Sequence, residues 1–253
     1  MSKPSRNIFR QLLGGERAAP QVPEGSRVYA IGDIHGHVNL LDRLLEKIVE
    51  DSQSGPARRV LVYIGDYVDR GPDSKGVLDL VMTKPLGFEV HCLRGNHDQA
   101  VLQFLGDAAF FPVWKSYGGL ETLLSYGVRP SPFESEEGHL KMQAEFRARI
   151  PAAHLTFLNG LEPSFSIGDY FFAHAGVRPG ISLEKQDLED LMWIRDEFLN
   201  ATDDFGKVVV HGHTPSSEAI LRNNRIGIDT GAYATGRLTA VVLEGTSRRF
   251  LQT

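Results

Sequence analysis

Residues 27–50 read RVYAIGDIHGHVNLLDRLLEKIVE. A short apolar run ends in a glycine-bounded turn carrying Asp33 and His35, and Leu40, Leu41, Leu44, Leu45, Ile48 and Val49 then recur at helical spacing. The same alternation continues outward. RRVLVYI (58–64) reads as a strand, SKGVLDLVMTKP (74–85) as a helix and FEVHCL (88–93) as a third strand. This β-α-β-α-β order predicts a parallel sheet with crossover helices. Further along, DYFFAHAG, KVVVHGHTP, NRIGIDTGAY and LTAVVLEG are short strand-like runs, with little helix between the last three. They predict a second, mixed or antiparallel sheet, and two sheets packed face to face between helices account for both halves. Residues 99–165 interrupt the alternation and read as a helical cap insertion, with Trp114 in VWKSYGGLETLLSYG as part of its core. Residues 1–25, rich in Pro, Gly and charge, are expected to be a flexible N-terminal segment, leaving 26–253 as one catalytic domain.

Composition narrows the function. The chain has 253 residues and a formal net charge of −5, with no block of Lys or Arg, which argues against a sequence-independent nucleic-acid groove. No apolar stretch approaches the length of a membrane span and the start lacks a secretory pattern, so a cytoplasmic protein without membrane association is expected. The single cysteine, Cys92, lies in a strand-like run and reads as a structural thiol.

In a parallel α/β sheet the carboxyl ends of the strands open onto the ligand crevice. Here each expected strand ends in ligand chemistry: Asp33 and His35 in GDIHG, Asp66, Asp69 and Arg70 in GDYVDRG, Asn96 and His97 in RGNHD, His174 in HAG, His211 and His213 in HGHT. The set is rich in oxygen and imidazole and has no thiolate, which suits Mn, Fe or Zn. Six groups, Asp33, His35, Asp66, Asn96, His174 and His213, are enough for two cations, and a carboxylate such as Asp66 can bridge them. A pair about 3.5–4 Å apart would acidify a bridging water and clamp a phosphoryl oxygen for in-line attack, so the implied chemistry is phosphate-ester hydrolysis.

These five motifs, in order across residues 27–243, resemble the phosphoprotein phosphatases, a branch of the binuclear metallophosphoesterases, and specifically bacterial and phage members of the lambda phosphatase type. The resemblance implies a four-layer α-β-β-α sandwich, two mixed sheets flanked by helices, with the helical insertion. It implies Asp33, His35 and Asp66 as ligands of one divalent metal and Asp66, Asn96, His174 and His213 as ligands of the other, with Mn expected in vitro and Fe or Zn as alternatives. It further implies His97 as general acid, Asp69 as its orienting carboxylate, and Arg195 in LMWIRDEF as a phosphate contact. Arg70 suits bidentate contact with phosphate; Asn96 joins the phosphate set, and Arg94 is a weaker candidate. The family pattern takes His213 rather than His211 as ligand. The family's usual GNHE is GNHD here, which shortens Asp98 by one methylene.

The expected activity is serine/threonine protein phosphatase, extending to phosphotyrosine, with phosphoproteins as partners and no eukaryotic-type regulatory subunit, since the inhibitor-binding tail has no counterpart. Tyr233 is not equated with the eukaryotic phosphate-proximal tyrosine. The same motifs serve symmetrical diadenosine tetraphosphate hydrolases, the competing expectation. A non-catalytic phospho-binding protein is the remote one.

Overall fold

The computed structural model describes residues 18–83, 85–130 and 135–253. Most of the expected N-terminal segment, and four residues of the expected insertion, therefore lie outside the described residues.

The first three strands, β1 (Ser26–Ile31), β2 (Arg58–Tyr63) and β3 (Phe88–Cys92), are parallel, with α1 (Val38–Ser52) and α2 (Ser74–Met82) as crossovers. The chain then runs through α3 (Asn96–Gly106), α4 (Phe111–Ser116), α5 (Gly119–Ser125), α6 (Glu136–Arg149) and α7 (Ala152–Asn159). The second sheet follows: β4 (Phe165–Ile167), β5 (Tyr170–Phe172), then α8 (Leu188–Trp193) and α9 (Asp196–Leu199), β6 (Val208–His211), β7 (Ile220–Leu221) and β8 (Arg225–Gly227). Last come α10 (Ala232–Thr235), β9 (Thr239–Glu244) and β10 (Ser247–Gln252). The sheet orders are β10-β9-β1-β2-β3 and β4-β5-β6-β8-β7.

Side-chain alternation along the strands builds the layers. Tyr29, Ile31, Leu61 and Tyr63 face the helices, where Leu40, Leu41, Leu44, Leu45 and Ile48 cover them, while Val28, Ala30, Val60 and Val62 face the second sheet. There they meet Tyr170, Phe172, Val208, Val210 and Ile226; the intervening Phe171 and Val209 point outward under Leu191 of α8, Phe198 of α9 and Ile194 between them. Each buried aliphatic side chain contributes about 1.5–3 kcal/mol, so three cores hold four layers, and the expected sandwich is the observed one. Val49 is off the buried stripe, at 42% exposure near the end of α1.

One expectation is corrected. LTAVVLEG forms β9, which pairs antiparallel with β1 in the first sheet rather than joining the second. Ala240 and Val242 face the helix side and Val241 and Leu243 the other sheet, so β9 buries both faces and fits beside β1, where both faces are covered. At the far end of this sheet from the expected site, Arg27 donates to Glu244 at 2.6 Å and to Asp51 at 3.0 Å, and Arg249 donates to Asp51 at 2.6 Å. No helix among the described residues is long and apolar enough to cross a membrane.

Candidate active site

Loops leaving the carboxyl ends of β1, β2, β3, β5 and β6 converge at one crest of the sandwich. Their backbone is unusual. Among the described residues, the non-glycine residues with positive φ are His35 (46°), Asp66 (53°), Asp69 (70°), Arg70 (65°) and His213 (63°), and all five lie in these loops. Such residues cost on the order of 1–3 kcal/mol each and persist where surrounding bonds over-determine them, which marks functional sites. The bonds are present here. Asp66 O accepts from the amides of Ile34 (3.1 Å) and His35 (2.9 Å), and the His213 amide donates to Asp33 at 3.0 Å. Gly212 has to be glycine for this last contact, because a Cβ there would lie 2.0 Å from Asp33 Oδ1.

Asp98 supplies more of this frame. One of its oxygens accepts from the amides of Asp66 and Gly95, each at 2.9 Å, and the other from Tyr67 at 3.0 Å. The shorter carboxylate of GNHD therefore reaches the backbone of the Asp66 loop.

Asp66 stands at the centre. Its Oδ1 accepts the His97 amide at 3.0 Å, while its Oδ2 faces Nε2 of His174 at 3.4 Å, of His35 at 3.5 Å and of His97 at 3.8 Å. Two groups of donors suited to a metal share it: His35, Asp66 and His97, and Asp66, His174 and His213. Asn96 Oδ1 lies 3.0 Å from His174 Nε2 and 3.0 Å from His213 Nδ1, so it belongs with the second group. Asp33 approaches through the His213 amide and lies outside both groups.

The donor chemistry fits cations. His35 and His174 each have Nδ1 on a backbone carbonyl, of Val68 and Ile64 respectively, both at 2.9 Å, which places the proton on Nδ1 and leaves Nε2 as a lone pair. Those lone pairs face the oxygens of Asp66 and Asn96, acceptor against acceptor, and His213 Nε2 is buried with no partner. Burial drives His35 down to about 3 and, with His174 beside it, His213 to about 2, so these imidazoles stay neutral; His174 is lowered as well, again by burial. Burial and then the neighbouring carboxylates of Asp229 and Asp66 push Asp33 well up. A cluster of lone pairs and crowded carboxylates without protons between them is what divalent cations stabilise.

His97 is the exception. Burial opposes its charge, but the carboxylates of Asp66 and Asp69 outweigh burial and raise it. Its Nδ1 donates to Asp69 Oδ2 at 2.8 Å, and its Nε2 lies 3.1 Å from Arg70 Nη2. The arginine can only donate, so His97 Nε2 accepts from it in this arrangement, and a phosphate oxygen that accepts from both groups would take the place of that direct contact. The guanidinium carbon of Arg70 lies over the Tyr233 ring, 4.4 Å from its centroid. Arg195, exposed at the start of α9, is near enough to lower His174 and His213, while the adjacent Glu197 pairs with Arg178.

Two expected or candidate residues are placed elsewhere. Arg94 donates to the carbonyls of Leu158 (3.3 Å) and Asn159 (2.9 Å) at the end of α7, so its guanidinium holds a helix rather than facing the crest. His211 is buried against Phe198, with Arg225 Nη1 at 3.4 Å, and takes part in neither group of metal donors. A rim of rings surrounds the metal donors and His97, and the sequence does not single out Trp193 among them. Tyr117 lies 5.7 Å from His97, Trp193 5.9 Å from His213 and Tyr233 5.6 Å from His35. The only sequence signal for Trp193 is its place two residues before Arg195.

A family model described as calcineurin-like phosphoesterase matches residues 26–241. The chain is 27% identical over 232 residues, 83% of this chain and 88% of the other, to an asymmetrical bis(5'-nucleosyl)-tetraphosphatase PrpE of Anoxybacillus flavithermus. It is 28% identical over 224 residues, 84% and 89%, to serine/threonine-protein phosphatase 1 of Salmonella typhimurium. A crystal structure provisionally assigned as a diadenosine tetraphosphatase covers 92% of this chain and 98% of its own at TM-score 0.62 and 24% identity. A cold-active protein tyrosine phosphatase covers 91% and 81% at TM-score 0.53 and 19% identity; these two likenesses speak to the fold.

Proposed function

This chain belongs to the calcineurin-like phosphoesterase family, and from that premise we propose that it is a hydrolase of phosphomonoesters, a serine/threonine protein phosphatase of the bacterial and phage type that also takes phosphotyrosine. The observation that carries this reading is the buried His97–Asp69 pair, joined at 2.8 Å. A serine or threonine alkoxide is a poor leaving group and needs a proton, whereas the nucleotide expelled from a phosphoanhydride is stable without one. A dedicated imidazolium, contributing about 10²–10⁴-fold, serves the ester far more than the anhydride.

The crest residues divide the work. Asp33, His35 and Asp66 would hold one divalent cation and Asp66, Asn96, His174 and His213 the other, supplying Lewis-acid charge and acidifying water for attack on phosphorus, with Mn expected in vitro. Arg70 and Arg195 take the phosphoryl oxygens, Arg70 from a guanidinium that lies over Tyr233. Asp69 fixes the Nδ1 proton of His97, which leaves the Nε2 proton for the departing ester oxygen.

The rim of Tyr117, Trp193 and Tyr233 and the likeness to PrpE favour a second reading, hydrolysis of a dinucleoside tetraphosphate, whose bases need stacking faces. A side-by-side measurement of kcat/KM for the manganese-loaded protein on a phosphothreonine peptide and on diadenosine tetraphosphate decides between them. A large preference for the peptide is expected; a large preference for the dinucleotide replaces the protein-phosphatase reading with the second.

A further inference from the structure

Asp69 carries a carboxylate with 0% exposure, which a folded protein tolerates when its oxygens are hydrogen-bonded. Apart from His97, its side-chain donors come from the helical segment between β3 and β4. Trp114 Nε1 donates to both oxygens, at 3.1 and 3.0 Å, and Thr122 Oγ1 donates to Oδ1 at 2.7 Å. Thr122 Oγ1 also accepts the Asp69 amide at 2.9 Å and lies 3.0 Å from Ser74 Oγ. A hydroxyl has one proton; Thr122 spends it on the carboxylate, so Ser74 is the donor between the two hydroxyls. Midway between Trp114 and Thr122 in sequence, Gly118 accepts the Arg70 amide at 3.1 Å. Gly118 has φ +96°, and a Cβ there would lie 2.9 Å from the Arg70 nitrogen.

We infer that Trp114, Gly118 and Thr122, spaced four residues apart in VWKSYGGLETLLSYG, are positioning residues that aim Asp69, and through it His97, at the leaving group and set the backbone of Arg70. None of the three touches the reacting atoms in this arrangement; each acts through Asp69 or Arg70. The sequence pattern alone reads Trp114 as core, and it is fully buried beside Phe104 and Phe146, yet its indole N–H points at Asp69 instead of being left unpaired. The segment between the sheets thereby completes the acid, and the inference rests on the reading of His97 as proton donor.

The test compares rates on a phosphothreonine peptide, whose leaving group needs a proton, with rates on p-nitrophenyl phosphate, whose leaving group does not, in the manganese-loaded full chain. Thr122→Val and Trp114→Phe are each expected to lower kcat on the peptide by about tenfold or more while leaving the aryl ester within about twofold, with KM little changed. Thr122→Ser, which keeps the donor, restores the peptide rate. His97→Asn, run alongside, separates the two levels of inference. A leaving-group split in His97→Asn that is absent from Thr122→Val and Trp114→Phe overturns the positioning role alone; the absence of a split in His97→Asn overturns the proton-donor reading and this inference with it. Equal losses on both substrates in Thr122→Val, unrelieved by Thr122→Ser, assign the contact to folding and overturn the positioning role as well.

Discussion

The two sheets bring different chemistry to the same crest. The first contributes Asp33, His35, Asp66, Asp69, Arg70, Asn96 and His97, a mixture of carboxylates, an arginine and one imidazole whose pKa is raised. The second contributes His174 and His213, both lowered by burial, His213 to about 2. The backbones differ in the same sense: four of the left-handed residues belong to the first sheet's loops and one, His213, to the second's. Charge and strain are therefore concentrated where β1 and β2 end, and the second sheet offers neutral lone pairs. His35 keeps the contrast from being absolute, since it is a neutral imidazole on the first side. A site that must hold cations and also deliver a proton needs imidazoles in two protonation states within a few ångströms. Separate backbones provide that, with Asp66 common to both and Asp69 bonded to His97.

The largest expected effect comes from removing the residue that both sides share. Asp66→Asn should cost several kcal/mol of transition-state stabilisation, more than about 10³-fold in kcat, and metal content by mass spectrometry should fall at both positions. Loss of one metal with the other retained would split the crest into two independent sites and remove the sharing. Next is the exceptional imidazole. His97→Asn should lower the rate on phosphoserine by about 10²–10⁴-fold and the rate on p-nitrophenyl phosphate far less. The pH dependence has a definite sign. His97 is raised above its ordinary value of 6.5, so its acid form persists above that pH and is lost as pH climbs through the raised value. The phosphoserine rate should therefore fall on the alkaline side, and this limb should be missing with the aryl ester.

A smaller effect separates two histidines at the end of β6, His211 in the strand and His213 in the loop that follows. His213, with Nε2 buried and unpartnered and Nδ1 on Asn96, faces the crest, so His213→Ala should reduce metal affinity and rate by about 10–100-fold or more. His211 is packed on Phe198 beside Arg225, so His211→Ala should change the rate by less than about tenfold and destabilise the fold by about 1–3 kcal/mol. The reverse order would place His211 among the metal-holding groups.

Much of this was legible because it is local. Asp33, His35, Asp66, Asn96, His97, His174 and His213 each follow an apolar run by a few residues, and strand-end chemistry converges whatever the details of the connections. The layering was legible for the same reason, since an unbroken apolar run such as Val60, Leu61, Val62, Tyr63 shows that both faces are covered. What stayed hidden depends on partners far along the chain. The run at β9 suits either sheet, and only pairing with β1 decides. Arg94 reads as a site arginine until α7 presents its terminal carbonyls. Asp98 gives no hint in sequence that it gathers three amides from two loops, and Trp114 satisfies a core pattern while its one polar atom reaches Asp69.

The smallest expected effect on chemistry lies at the opposite end of the first sheet, and it tests whether the differences at the crest are chemical or reflect general stability. Asp51 joins α1 to β1 and β10 through Arg27, Tyr29 and Arg249. Burial pushes its carboxyl up, but hydrogen bonds from Arg249 and Tyr29 and the charges of both arginines outweigh burial and hold it below its ordinary value of 3.8. A depressed carboxyl stabilises the fold above the unfolded pKa and loses that contribution as pH falls through the folded value. Because the group is partly open to water, Asp51→Asn should cost only about 1–2 kcal/mol, a fall of a few degrees in Tm, at about 2–4 °C per kcal/mol for a domain near this size. The difference from wild type should be full at pH 7 and shrink below about pH 3.9. kcat on both substrates should stay within about twofold of wild type, since no bond in this network reaches the crest. A fall in kcat that tracked the loss of Tm would mean that the effects of His211 and His213 have to be corrected for stability before the two sheets can be compared.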